Sequence, residues 1–221
     1  MAELRQTGFL DDFQRPDENP LSWDGRWQSL RSTTGNELAL TSHFVCIIGV
    51  APNSSQASYW QPDVWYGDVE CWGQGSGGND LSEGLSLFLH VYQTRFQTGG
   101  NELLTGYQAQ WSDDVIGGPH MTLYRYNGGG ARTTLAGPTP GAFDCTGGLN
   151  LFRRIGNTLE AWTTSDPTGL TGWSLLISAT DSTYSYGFVG LGTQNDDENP
   201  GWAGFGGGSL NRSRIIRYVS N

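Results

Sequence analysis

The chain has 221 residues, with 33 Gly, 9 Trp, 9 Tyr and 9 Phe, and its 22 acidic residues against 12 basic ones give a formal net charge of −10. That length suits one all-β domain. The acidic excess, with no basic stripe, argues against a nucleic acid or an anionic membrane surface as partner, and no run approaches the ~20 apolar residues of a membrane-spanning helix.

Residues 1–8 carry no core pattern and no apolar segment of the kind that marks a secretory signal. They form an N-terminal arm to a single domain over 9–221. Irregular loops follow at 15–25, 51–66 and 194–201. Between them run short strands with alternating faces. Leu85, Leu87, Leu89 and Val91 alternate with Ser86, Phe88, His90 and Tyr92. Tyr107, Ala109 and Trp111 alternate with Gln108 and Gln110. Leu149, Leu151, Arg153 and Ile155 oppose Asn150, Phe152 and Arg154. Leu159 and Ala161 oppose Glu160 and Trp162.

Turn residues separate these runs, and Gly156-Asn157 fits a two-residue hairpin loop. Gly206-Gly207-Gly208 is expected to need backbone angles reserved for Gly. The run 215–219 should close the domain beside residues 9–13. The alternation places Leu85, Leu87, Leu89, Val91, Leu151, Leu159, Leu175, Ile177, Val189 and Leu191 in an inter-sheet core. Cys46, Cys71 and Cys145 show no metal-ligand spacing. Buried free thiols are expected, with a Cys46–Cys71 bridge left open.

The order of the segments 157–162, 173–176, 181–184, 186–191 and 205–209 resembles the closing half of the concanavalin A-like, laminin-G-like jelly roll. Asp12-Phe13-Gln14-Arg15-Pro16, then Pro20-Leu21 and Trp27, resembles that family's first strand and the arm after it. The resemblance implies an all-β, two-sheet antiparallel jelly-roll sandwich. This fold serves lectins, glycosidases, adhesion modules and virion proteins of tailed phages, so it does not fix function. The main expectation is a non-enzymatic virion structural protein, a minor tail component or a capsid decoration or fibre. It would contact other virion proteins or copies of itself, and be made in the host cytoplasm without export. The alternative is a carbohydrate-binding module or lectin that recognises a cell-surface glycan.

A polar and aromatic second face is expected from Asp68, Glu70 and Trp72, from Phe88, His90 and Tyr92, and from Gln108, Gln110, Arg154, Glu160 and Trp162, provided their strands are neighbours. Flat rings beside amides and carboxylates suit a sugar, whose C–H faces stack and whose hydroxyls need donors and acceptors. The competing reading is a face covered by the chain's own loops or by a partner. Trp60, Trp65 and Trp202 are candidate interface anchors.

Tyr66-Gly-Asp68-Val-Glu70 resembles the Glu-x-Asp-x-Glu strand of laminarinase-type glucanases, with Tyr66 where the nucleophile would stand. Hydrolysis is therefore not expected. Asp11, Asp12, Asp181, Asp196, Asp197 and Glu198 are candidate oxygen donors to a structural Ca²⁺, or solvated acids and turn caps. His43, His90 and His120 are too scattered in sequence for a three-histidine metal site.

Overall fold

The computed structural model describes residues 9–31, 38–47, 54–76, 84–93, 104–114, 118–128, 131–140, 148–195 and 201–209, and their regular structure is all strand. The arm 1–8, the closing run 215–219, Cys145 and the acids Asp196, Asp197 and Glu198 lie outside the described residues. So do residues 51–53 and 196–200; the rest of 51–66, expected as an irregular loop, is mostly strand, over Ser54–Trp60 and Trp65–Tyr66.

Two antiparallel sheets face each other. Sheet I has the order β14 (Ser174–Thr180), β13 (Thr158–Thr164), β12 (Leu149–Ile155), β7 (Val69–Ser76), β16 (Gly201–Ser209), β4 (Phe44–Ile47) and β3 (Leu38–Thr41), with β1 (Phe9–Asp11) also paired to β16. Sheet II has the order β11 (Arg132–Pro140), β10 (Gly118–Asn127), β9 (Leu104–Asp114), β8 (Gly84–Gln93), β15 (Tyr186–Asn195), β5 (Ser54–Trp60) and β2 (Trp27–Arg31), with β6 (Trp65–Tyr66) on β15. This is the two-sheet jelly roll that the sequence led us to expect. The β12–β13 hairpin turns at Gly156-Asn157, where Gly156 takes a φ of +57°.

One apolar cluster fills the space between the sheets. Leu85, Leu87 and Leu89 meet Val69, Cys71, Phe152, Leu159, Ile177, Val189 and Phe205 there. The Cys71 thiol is free and buried, and it donates to the Phe88 carbonyl at 3.4 Å. Burial pushes it well above the usual thiol range, with the neighbouring Glu70 adding to the effect.

Three expected core positions fall elsewhere. Leu151 is buried, but on the outer side of sheet I with Trp72 and Leu149, while Phe152 faces the core. Hydrophobicity alone misplaces β12 because both of its faces are buried. Leu175 is 46 % exposed on the edge strand β14, where a shifted register at Ala161/Trp162 turns it outward. Val91 lies on the outer side of sheet II with Phe88, because the β8–β9 register shifts between Leu89 and Tyr92.

That shift is a β-bulge at His90, whose φ is +50°. Glycines on both neighbouring strands make room for it. A Cβ on Gly187 would come within 2.5 Å of the His90 carbonyl carbon, and one on Gly106 within 2.7 Å of the Val91 Cα.

The segment after β1 is held by a buried polar knot. Asp11 accepts from the Phe13 amide at 2.8 Å, from the Trp27 indole at 2.7 Å and from Arg15 through both oxygens at 2.6 and 2.8 Å. Glu18 takes the other side of Arg15 and the amides of Ser22 and Trp23. Burial still pushes the Asp11 carboxyl up from its ordinary value, so these partners offset only part of its lost hydration.

Trp60 and Trp65, expected as interface anchors, are packed into the chain's own core. Trp60 stacks edge-on against Trp27 at 5.4 Å. In sequence, an aromatic that anchors a core looks the same as one that anchors a partner. The Trp202 backbone pairs with Val45 in β16; its side chain lies outside the described residues.

The Gly206–Gly208 run is strand, not turn, and none of the three has a positive φ. Space explains Gly207 instead. A Cβ there would sit 3.0 Å from the Glu70 carbonyl oxygen, 3.2 Å from Val189 Cγ2 and 3.3 Å from Cys71 Cβ. Gly207→Val should cost about 1–3 kcal/mol through overpacking, seen as a lower urea midpoint. An unchanged midpoint would contradict this packing.

Candidate functional site

The polar and aromatic residues expected on one face are divided by the fold among three places, because β7, β12 and β13 belong to sheet I while β8 and β9 belong to sheet II.

The first place is the outer side of sheet I. The register sets Glu70, Arg153 and Glu160 in one row across β7, β12 and β13, and Trp72, Leu151 and Trp162 in the next. Arg153 Nε donates to Glu160 at 2.8 Å and lies over the Trp162 ring at 5.4 Å. The Trp162 indole donates to the same Glu160 oxygen at 3.1 Å. Glu70 and Trp72 are buried, and Phe9 packs edge-on against Trp72 at 4.7 Å. The polar groups of the Arg153–Glu160–Trp162 trio satisfy one another. With Glu70 at 0 % exposure, no pair of open carboxylates flanks a cleft here.

The second place lies between the sheets. His90 and Arg154 are both buried there. His90 Nδ1 sits 3.3 Å from the Tyr184 carbonyl oxygen. Arg154 donates to the Gly67 carbonyl and to Asn157, both at 3.2 Å. Beside them Tyr107 donates to Asp181 at 2.8 Å, and Arg125 pairs with the other Asp181 oxygen at 2.6 Å. Burial, with the neighbouring Asp181, pushes the Tyr107 phenol up to about 12, and the Tyr184 amide that donates to its oxygen pulls the other way. These groups hold one another at one end of the sandwich, with His90, Arg154 and Tyr107 buried.

The third place is the outer side of sheet II, which holds Tyr92, Gln108 and Gln110. Gln108, Phe88, Gly190 and Tyr59 follow one another across β9, β8, β15 and β5. Gln110, Ser86, Gly192 and Ala57 form the adjacent row. The two glycines and the small Ser86 and Ala57 form a strip of small residues along the middle of the sheet, where Ser86 and Ala57 are buried. Rings stand beside it. Phe188 lies 4.8 Å from Tyr59 and is stacked parallel to Tyr92 at 6.5 Å. Tyr92 is 45 % exposed. Burial, with Tyr92 nearby, raises the Tyr59 phenol above its ordinary value. Two residues before Phe188, Tyr186 stacks on Tyr66 at 5.8 Å, and both rings are more than half exposed.

The amides on this face are fixed in orientation. Gln108 Nε2 donates to Ser86 Oγ at 2.8 Å, and the Tyr126 hydroxyl donates to Gln108 Oε1 at 3.0 Å. Arg132 Nη1 donates to Gln110 Oε1 at 3.2 Å, with its guanidinium 4.0 Å from the Tyr124 ring centroid. No described strand packs across this side. The result is a face with preset donors and acceptors, on which Gln108, Gln110, Phe88 and Ser86 are buried and Tyr59, Phe188 and Tyr92 keep part of their rings exposed; rings beside oriented amides are the chemistry a saccharide needs. Sequence reasoning missed Tyr59, Tyr124, Tyr126, Arg132 and Phe188. The alternation Tyr124-Arg125-Tyr126 and Tyr186-Gly187-Phe188 was the available signal.

Asp11 and Asp181, two of the candidate Ca²⁺ donors, spend their oxygens on the structural bonds above. Asp12 accepts from the Gln14 amide at 3.1 Å. Among the described residues no group of three His, Cys, Asp or Glu side chains is placed to hold a metal ion.

No protein-family model and no curated protein sequence matches the chain. Solved structures do match. The VIP36 exoplasmic/lumenal domain in its Ca²⁺/mannose-bound form aligns with a TM-score of 0.62 at 12 % identity, over 97 % of this chain and 100 % of that one. A legume lectin-like domain from Entamoeba histolytica gives 0.59 at 10 % identity, over 84 % and 91 %. The carbohydrate-binding module CBM66 from Bacillus subtilis gives 0.54 at 14 % identity, over 80 % and 91 %. Such identities establish the shared jelly roll.

Proposed function

We propose that this protein is a non-catalytic glycan-binding domain whose site is the outer face of sheet II. The observation that carries the reading is the pairing, on one sheet face, of partly exposed rings (Tyr59, Phe188, Tyr92) with two largely buried amides whose hydrogen bonds fix their orientation (Gln108, Gln110). Rings would stack on the apolar faces of a sugar while the amides bond its hydroxyls. The carbohydrate-binding neighbours on the same fold support it. The virion role, the main expectation from the sequence, gains no support from the neighbours named above, and no feature of this face calls for it. Particle incorporation is a separate question, answered by mass spectrometry of purified phage.

Screening on a glycan array should identify a ligand, and calorimetry should then measure it. Tyr92→Ala and Phe188→Ala should each weaken binding roughly 10-fold, about 1.4 kcal/mol, with the melting temperature of Tyr92→Ala nearly unchanged. The bound oligosaccharide should be recovered intact. Full affinity in both variants, with loss in Trp162→Ala, would move the site to sheet I.

A further inference from the structure

We propose that the glycan taken by sheet II is acidic, and that Arg132 receives a sugar carboxylate. The inference rests on the glycan-binding reading and narrows its ligand class.

Arg132 opens β11 and is exposed. It pairs in register with Tyr126, so it springs from the same side of the sheet as the Gln108 and Gln110 amides. Its side chain runs along that face. The guanidinium lies 4.0 Å from the Tyr124 ring centroid, and Nη1 reaches Gln110 Oε1 at 3.2 Å. A ring and a neutral amide therefore hold it in place.

Three other arginines are closed by acids, while the buried Arg154 is held by the Gly67 carbonyl and Asn157. Arg15 pairs with Asp11 and Glu18, Arg125 with Asp181, and Arg153 with Glu160. With 22 acidic residues against 12 basic ones, carboxylates are plentiful. Yet among the described side chains of this face no carboxylate occurs, and Arg132 is its one cation. A guanidinium has five N–H donors in a planar fork that matches a carboxylate through two parallel bonds. One of those donors is engaged by Gln110, and the aromatic support limits the motion of the rest.

The overall charge opposes the approach of an anion. That opposition is screened over about 8 Å at physiological salt, whereas a two-bond contact acts at hydrogen-bond distance. The local term decides once the ligand is seated. Arg153 on sheet I offers no competing site, because Glu160 already holds it.

The test uses the full chain with three probes: a hexuronic acid oligosaccharide, its carboxyl-reduced neutral counterpart, and the neutral form bearing sulfate esters. Calorimetry should show the uronate bound roughly 10-fold or more tighter than the reduced form, the scale of one charge-assisted contact. Arg132→Gln should erase that preference, so that the uronate and its reduced form bind alike, with the melting temperature unchanged. Arg132→Lys should restore only part of it. Equal or tighter binding of the reduced form by wild type overturns the inference and leaves the glycan-binding reading standing. A preference for the sulfated probe over the uronate overturns the carboxylate assignment. A uronate preference that survives in Arg132→Gln removes Arg132 from it. Binding of none of the three sinks the inference, and an empty glycan array beside it sinks the broader reading as well.

Discussion

Trp27→Ala should be the most destabilising single substitution in the chain, at about 4–5 kcal/mol in urea unfolding. Trp27 is buried at the centre of an aromatic group, with ring centroids 5.2 Å from Phe205, 5.4 Å from Trp60 and 6.2 Å from Phe13. Removing an aromatic of this size leaves a cavity that a two-sheet core cannot collapse around, which costs about 3–5 kcal/mol. The loss of the indole donor adds to this, since its N–H serves the buried Asp11 at 2.7 Å. Trp27→Phe separates the two effects. It keeps most of the ring and should cost about 1–3 kcal/mol for the weakened carboxylate. A Trp27→Ala protein with a wild-type unfolding midpoint would mean that the arm after β1 does not depend on this knot.

The second large effect is a pH dependence from His90. Its pKa is lowered to about 4 from an ordinary value of 6.5, first by burial and then by the nearby Arg154, while the Tyr184 carbonyl and Asp68 pull the other way and lose. The folded state therefore holds fewer protons than the unfolded chain between pH 6.5 and 4. Stability from this group is full above pH 6.5 and falls as the pH drops toward 4, where the folded form also protonates. A gap of this size corresponds to about 3 kcal/mol. Asp11, raised by burial, and Glu18 and Asp181, lowered against burial by their hydrogen bonds, add acid dependences of their own, so the difference between wild type and His90→Asn isolates His90. Asn is chosen because it tolerates the positive φ of this position. Parallel pH profiles for the two proteins would show that His90 is hydrated or freely protonated in the fold.

Much of the fold was legible. The alternation of Leu85, Leu87 and Leu89, the Gly156-Asn157 hairpin and the order of segments toward the C-terminus all led to the jelly roll. The site was legible only in pieces. Period-two reasoning assumes an unbroken strand, and the His90 bulge breaks β8 midway. It sends Val91 outward and His90 inward, against the alternation. The devices that permit the bulge, Gly106 and Gly187, lie on strands that become neighbours only in the sheet. The two buried faces of β12 hide its phase in the same way, since Leu151 and Phe152 are equally apolar. Glu70, Trp72, Glu160 and Trp162 do come together, with Arg153 between the acids, but as a self-satisfied face on sheet I. The face on sheet II depends on Tyr59, Phe188 and Arg132, from three strands far apart in sequence, and only the sheet order joins them.

The central claim, a glycan seat on the outer face of sheet II, is tested most directly by a residue-resolved titration. Amide chemical shifts of the labelled protein would be followed as the array-identified oligosaccharide is added. The account predicts saturable shifts clustered on β8, β9 and β15 around Phe88, Gln108 and Phe188, with Trp162 and its neighbours on β12 and β13 unmoved. Shifts confined to sheet I, or spread thinly over both sheets without saturation, would contradict it.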